Sequence, residues 1–170
     1  MSRKKNEEKL LRLNVGTQVV ETFDKVQFNP LKFPWPVKNE SVEELVSPMV
    51  MNYIRADQRL PYLEEIYRVL IPDGKAQIWV PYYASMRAIQ DYKAEWPPFC
   101  EVSFMYFNQA WMKLNHPERP MKCNFEMTFS YKADNATLIK NEETKAFMVK
   151  HYWNSVMDLQ VALIKKPLEQ

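Results

Sequence analysis

The residues best able to do chemistry are gathered between positions 82 and 98: Tyr82-Tyr83-Ala84-Ser85, Arg87, Asp91-Tyr92 and Trp96-Pro97-Pro98. Asp91, with Tyr83 and Arg87 close in sequence, could serve as a general base. A carboxylate takes that role through burial and positioning, and a loop ion pair or cap is the ordinary alternative. Trp96 with its two prolines could wall a substrate pocket or pack beneath its own loop. A second set is Asn14-Val15-Gly16-Thr17-Gln18, where a short apolar run ends in a glycine. The chain holds two glycines, against roughly a dozen at average usage, so each is expected where φ is positive or backbones approach closely. A loop that cradles a nucleotide normally has two or three glycines close together; here the sequence reads Gly16-Thr17-Gln18. His116, in a polar stretch, reads as a solvated loop residue, and His151, within a helix beside aromatics, as a residue at the edge of the core.

The elements that must position these residues are legible in outline. Residues 10–15 read as a short buried strand ending at Gly16, after a polar lead-in over 1–9. Residues 17–41 are irregular, because Pro34 and Pro36 around Trp35 exclude helix and most ladder pairing. A short strand fits 25–28. Val42, Leu45 and Val46 suit a strand over 43–47, followed by a helical turn at 49–54. Leu63, Ile66, Tyr67 and Leu70 share one face of a helix over 59–71, with Glu64, Glu65 and Arg68 toward water and Pro61 in the first turn. Pro72-Asp73-Gly74 stops it. A strand follows at 75–80, then the long loop, a helix at 101–114 whose methionines and aromatics are core packing, a strand over 123–131, a helix over 141–153 and a strand over 156–165. Early strands joined through helices imply a parallel sheet with right-handed crossovers. In such a sheet, ligands bind beyond the carboxyl ends of the strands, where strand order reverses. That edge gathers Asn14 to Gln18, Asn29, Ser47-Pro48 and the 82–96 loop.

Composition limits the function classes. The 170 residues fit one domain over 1–170, and 23 basic against 21 acidic residues give no electrostatic argument for nucleic acid. Cys100 and Cys123, with His116 and His151, make no metal site by spacing, and a reduced pair is the default. No apolar stretch is long enough for a membrane span and no signal peptide is evident, so a cytoplasmic protein is expected.

Glu64-Glu65-Ile66-Tyr67-Arg68-Val69-Leu70-Ile71-Pro72-Asp73-Gly74-Lys75 resembles the EIYRVLKPGG stretch of class I S-adenosylmethionine-dependent methyltransferases of the type-11 kind. Leu11 to Gly16 is similar to their first strand, and Phe33-Pro34-Trp35-Pro36-Val37 with Ser41-Val42-Glu43-Glu44-Leu45 to their FPWPF…DNSVDEI. The C-terminal half resembles one phage-rich branch through Val80-Pro81-Tyr82-Tyr83, Trp96-Pro97-Pro98, Cys123-Asn124-Phe125-Glu126 and His151-Tyr152-Trp153-Asn154. The resemblance implies an α/β fold, a shortened Rossmann-like methyltransferase domain with a mostly parallel sheet and a C-terminal antiparallel strand pair. It implies S-adenosylmethionine as cofactor, bound by Asn14, Gly16, Thr17 and Asn29, the last on the adenine edge. Tyr83, Arg87 and Trp96 would face the substrate, with Asp91, Tyr83 and Arg87 the catalytic candidates.

The departures from that family are specific. Its second loop glycine is replaced by Gln18. The strand ending in a ribose-binding acid has no room between Gly16 and Phe33, and only Glu21 and Asp24 are acidic there. Pro48-Met49-Val50-Met51-Asn52-Tyr53 stands where relatives have SHVLEH, and Asp91-Tyr92-Lys93-Ala94 where they have DPTH. Three functions remain open: methyl transfer to an unidentified acceptor, with reduced or lost activity; a catalytically inactive methyltransferase-fold module for protein contact, which could form a homo-oligomer; and binding of some other nucleoside or small metabolite in the altered cleft.

Overall fold

In a computed structural model of the chain, residues 10–169 are described. The lead-in expected over 1–9 lies outside them. Six strands form one sheet: β1 Leu11–Asn14, β2 Asp24–Lys25, β3 Val42–Pro48, β4 Leu70–Pro81, β5 Phe125–Ala133 and β6 Val156–Lys165, in the order β2-β1-β3-β4-β6-β5. The first four are parallel, β6 runs antiparallel to β4, and β5 antiparallel to β6. The expected mostly parallel sheet with a C-terminal antiparallel pair is therefore present. The helices are α1 Ala56–Val69, α2 Met86–Ile89, α3 Val102–Met105, α4 Gln109–Asn115, α5 Asn135–Leu138 and α6 Glu142–His151, with a 3-10 turn at Met51–Tyr53.

α1 forms because Tyr62, Leu63, Ile66 and Val69 recur at helical spacing and are all buried. They join one core with Leu45, Ala76, Ile78, Val80, Leu159, Val161 and Leu163 from the facing strands. The Tyr62 hydroxyl meets Ser47 Oγ at 2.8 Å, and the Tyr67 ring packs edge-on to Phe125 at 5.3 Å. The other face of the antiparallel half is different. There Gln77, Ala162 and Thr128 form one cross-strand row, and Trp79, Gln160 and Ser130 the next; all are exposed or half-exposed. Helices in the β1–β2 and β2–β3 crossovers would cover the second face of a doubly wound sheet, and residues 15–41 contain none. The polar alternation of β4, β5 and β6 matches that exposure.

Several boundaries differ from the sequence expectation. α1 begins at Ala56, so Pro61 lies in its second turn, and it ends at Val69 because Leu70 already pairs with Val42 in the sheet. The left-handed conformation after it falls on Asp73, with φ 58°, and not on Gly74. Gly74 serves close approach instead: a Cβ there would lie 2.8 Å from the Ile71 carbonyl oxygen. The helix expected over 101–114 is broken into α3 and α4, and the Asn108 side chain caps α4 by accepting from Trp111 N–H at 2.8 Å. β5 is displaced two residues toward the C-terminus. Helix α6 ends at His151, an exposed residue whose ring lies 4.4 Å from that of Phe147. His116 stacks on Tyr106 at 5.4 Å and is half-buried.

Glu65 is the clearest correction. Read from helical periodicity as water-facing, it is buried. Its carboxylate accepts the Trp35 backbone N–H at 2.5 Å and two Arg68 N–H groups at 2.9 and 2.5 Å. Arg68 also donates to the Val37 and Trp35 carbonyls. The Phe33–Val37 segment is thus clamped to α1 through the Glu65–Arg68 pair. Desolvation alone would push the Glu65 carboxyl up. The Arg68 and Trp35 hydrogen bonds and the Arg68 charge outweigh it, leaving the group below its ordinary value.

Candidate functional site

Strand order reverses between β1 and β3, so the crevice at their carboxyl ends is where this fold would take a ligand. Here the two strands stay joined past their ends. Val15 N–H donates to the Val46 carbonyl at 2.9 Å and Thr17 N–H to the Pro48 carbonyl at 2.7 Å. The Thr17 hydroxyl reaches the Pro48 and Met49 carbonyls at 3.2 and 3.0 Å. Gly16 lies against Pro48, and a Cβ on it would fall 2.1 Å from the proline Cδ. The Asn14 side chain is buried. Its oxygen accepts from Gly16 N–H at 3.0 Å and its amide donates to the Gln18 carbonyl at 2.8 Å. Asn14, Gly16 and Thr17 are therefore brought together, and their polar groups are directed at one another and at β3.

Asn29 stands apart from them on its own turn. Its side-chain oxygen accepts from Leu31 N–H at 2.9 Å and its carbonyl from Lys32 N–H at 3.1 Å. The two acids that follow β1, Glu21 and Asp24, are exposed, and Asp24 opens β2 where a ribose-binding acid would close it. The described residues do not fit S-adenosylmethionine at this crevice: the loop bonds to β3, and the one acid of β2, Asp24, stands at the start of that strand and not at its carboxyl end.

The 82–98 residues separate into four places. Asp91 accepts the Tyr53 hydroxyl at 2.8 Å and closes a turn by accepting from Lys93 N–H at 2.9 Å. These two hydrogen bonds, the Lys93 amide first, hold its carboxyl below the usual value, and the same contact raises the Tyr53 phenol. Arg87 turns the other way and pairs with Asp158 of β6 at 3.0 Å. Burial raises the Asp158 carboxyl, with Arg87 and Lys132 opposing, and its Oδ1 has no hydrogen-bond partner among the described residues. Trp96 is 75% exposed, so it does not pack beneath its loop. Tyr83 lies beside Tyr82 at the end of β4, their rings 4.8 Å apart.

Sequence reasoning missed the partners that give Tyr83 its setting. Glu101 Oε1 accepts hydrogen bonds from the hydroxyls of Tyr82, at 3.3 Å, and Tyr131. Burial and the neighbouring Glu101 charge raise both phenols. Tyr53 and Asp158 were also missed. Their signal is the fold itself, since each pairs with a residue 38 or 71 positions away. Among the described residues no group of three His, Cys, Asp or Glu side chains could hold a metal. Cys100 and Cys123 are free thiols, and burial pushes the Cys123 thiol up to about 12. No helix among the described residues is long and apolar enough to cross a membrane.

No protein-family model and no curated protein matches the chain. Solved structures do. A SAM-dependent methyltransferase from Archaeoglobus fulgidus aligns at TM-score 0.58 and 10% identity, over 85% of this chain and 68% of that one. A chain in the Haloferax volcanii complex of the Trm112 methyltransferase activator with a putative methyltransferase aligns at TM-score 0.52 and 17% identity, over 90% of this chain and 65% of that one. The chain thus spans about two thirds of the length of these structures. At such identities the likeness concerns architecture, and on that basis the chain has a shortened Rossmann-like methyltransferase fold.

Proposed function

We propose that this chain is a methyltransferase-fold protein that acts by binding and not by methyl transfer, with no S-adenosylmethionine held between β1 and β3. The observation that supports this reading is the continuation of β1–β3 pairing through Thr17 onto Pro48 and Met49. A crevice at a switch point opens because the two loops leave toward opposite faces; here they are bonded together. Titration calorimetry of the full chain with S-adenosylhomocysteine tests it. No heat beyond dilution at high micromolar protein is expected, and saturable binding would overturn it.

A second reading, transfer of a methyl group from S-adenosylmethionine to an unidentified acceptor, is favoured by one local feature. The Tyr53–Asp91 pair stands beside Asn52, whose buried side-chain oxygen has no partner among the described residues. These oxygens support a reading in which an acceptor's proton is taken there. The lowered Asp91 carboxyl makes it a weak base. Binding of S-adenosylhomocysteine is required by this reading and excluded by the first.

A further inference from the structure

A cavity of about 670 Å³ lies beyond the carboxyl end of β4, between Tyr82-Tyr83, the end of β5 and the α5–α6 pair. Its strands are in the other half of the sheet from the β1 loop. One wall is an aromatic corner. The Tyr82 ring stands at 65° to Tyr83 and at 74° to Tyr131, with centroids 4.8 and 5.7 Å away. Glu101 closes that corner. Both of its phenol contacts are on Oε1, so the carboxylate is held by two neutral groups. The opposite wall contains Thr137, which is 1% exposed and whose hydroxyl has no hydrogen-bond partner among the described residues. The other charged lining residues are Glu142 and Lys145, paired at 2.8 Å, and Lys150 at the exposed end of the wall.

We propose that this cavity binds a small organic cation, with its ammonium group in the tyrosine corner against Glu101. Tyrosine faces attract cations, more strongly where water is excluded. A carboxylate held only by phenols keeps its negative charge available to a ligand, which disfavours anions. A metal ion is a poor fit, since one carboxylate among phenols gives too few hard ligands. The volume lies within the range of small-molecule sites. The proposal does not depend on whether S-adenosylmethionine binds between β1 and β3.

The test is a residue-resolved NMR titration of the full chain with choline and with 3,3-dimethylbutan-1-ol, which has the same shape without the charge. Choline is expected to shift the amides of Tyr83, Glu101 and Thr137 saturably, and the neutral compound to bind about tenfold more weakly. Glu101→Gln is expected to remove the preference for choline. Tyr83→Leu, at an exposed position, is expected to weaken choline binding. The proposal is overturned if the two compounds bind alike, if the shifts fall on Gly16 and Thr17 or nowhere, or if both variants leave choline binding unchanged.

Discussion

Gly16 and Pro48 touch so closely that no side chain fits between them: the position of a Gly16 Cβ is 2.1 Å from Pro48 Cδ and 2.2 Å from its nitrogen. The neighbours are a proline ring and backbone, which cannot swing aside as a long side chain can. Gly16→Ala is therefore expected to destabilise the chain by at least about 2 kcal/mol, an overpacking cost. For a chain of this size that is a fall in Tm of roughly 4–8 °C, read by thermal denaturation. An unchanged Tm would mean that β1 and β3 are not in contact there.

The Glu65 clamp has a pH signature. Its carboxyl lies below the ordinary value of 4.5 in the folded chain, so it contributes stability above that pH, and the contribution is lost as pH falls through the lower folded value. Glu65→Ala removes the ion-pair partner of Arg68 and leaves the Trp35 N–H without its acceptor, and is expected to cost roughly 3 kcal/mol at pH 7. Denaturant midpoints measured from pH 7 down to pH 3 should converge for the native chain and Glu65→Gln. Parallel curves would remove Glu65 as the acid-sensitive group.

These two features show what could be read from the sequence and what could not. α1 was legible because Leu63, Ile66 and Tyr67 repeat locally and burial follows the repeat. Glu65 was not, since helical periodicity cannot report that Trp35, thirty positions earlier, would present an N–H to it. The i,i+3 spacing of Glu65 and Arg68 was the available hint. At the candidate site, Gly16 stood out through glycine scarcity, whereas its neighbour Pro48 depends on strand register. Tyr83 could be named from the aromatic loop. Glu101, Tyr131 and Thr137 line the same cavity only because β5 returns beside β6 and α5 lies at its end, an arrangement that no spacing encodes. Arg87 was grouped with Asp91 by proximity in sequence, and the short helix α2 sends it to Asp158 instead.

Arg87 offers a direct choice between a structural and a ligand-facing role. Asp158 is nearly enclosed and its carboxyl is raised by burial. Arg87→Met should cost roughly 2 kcal/mol at pH 7 by leaving that charge without its close partner. A raised carboxyl takes up its proton more readily in the folded chain than in the unfolded one, so stability is regained as pH falls through the folded value. The penalty measured by urea denaturation should therefore shrink between pH 7 and pH 4. Equal penalties at both values, or none at either, would contradict the pairing.

The Thr137 hydroxyl is buried and has no hydrogen-bond partner among the described residues. Thr137→Val keeps the shape and removes the unpaired group, so the unliganded protein should be unchanged or stabilised by up to about 1 kcal/mol. Thermal unfolding checks this, and a loss above that size would show that the hydroxyl is already bonded.

The closed crevice between β1 and β3 is tested most directly by amide hydrogen exchange at Thr17, whose N–H donates to the Pro48 carbonyl at 2.7 Å. Thr17 should exchange as slowly as the neighbouring paired amide of Val15, and millimolar S-adenosylhomocysteine should change neither rate nor shift. Rapid exchange at Thr17, with slowing and a saturable shift when S-adenosylhomocysteine is added, would contradict a closed crevice and return this loop to cofactor binding.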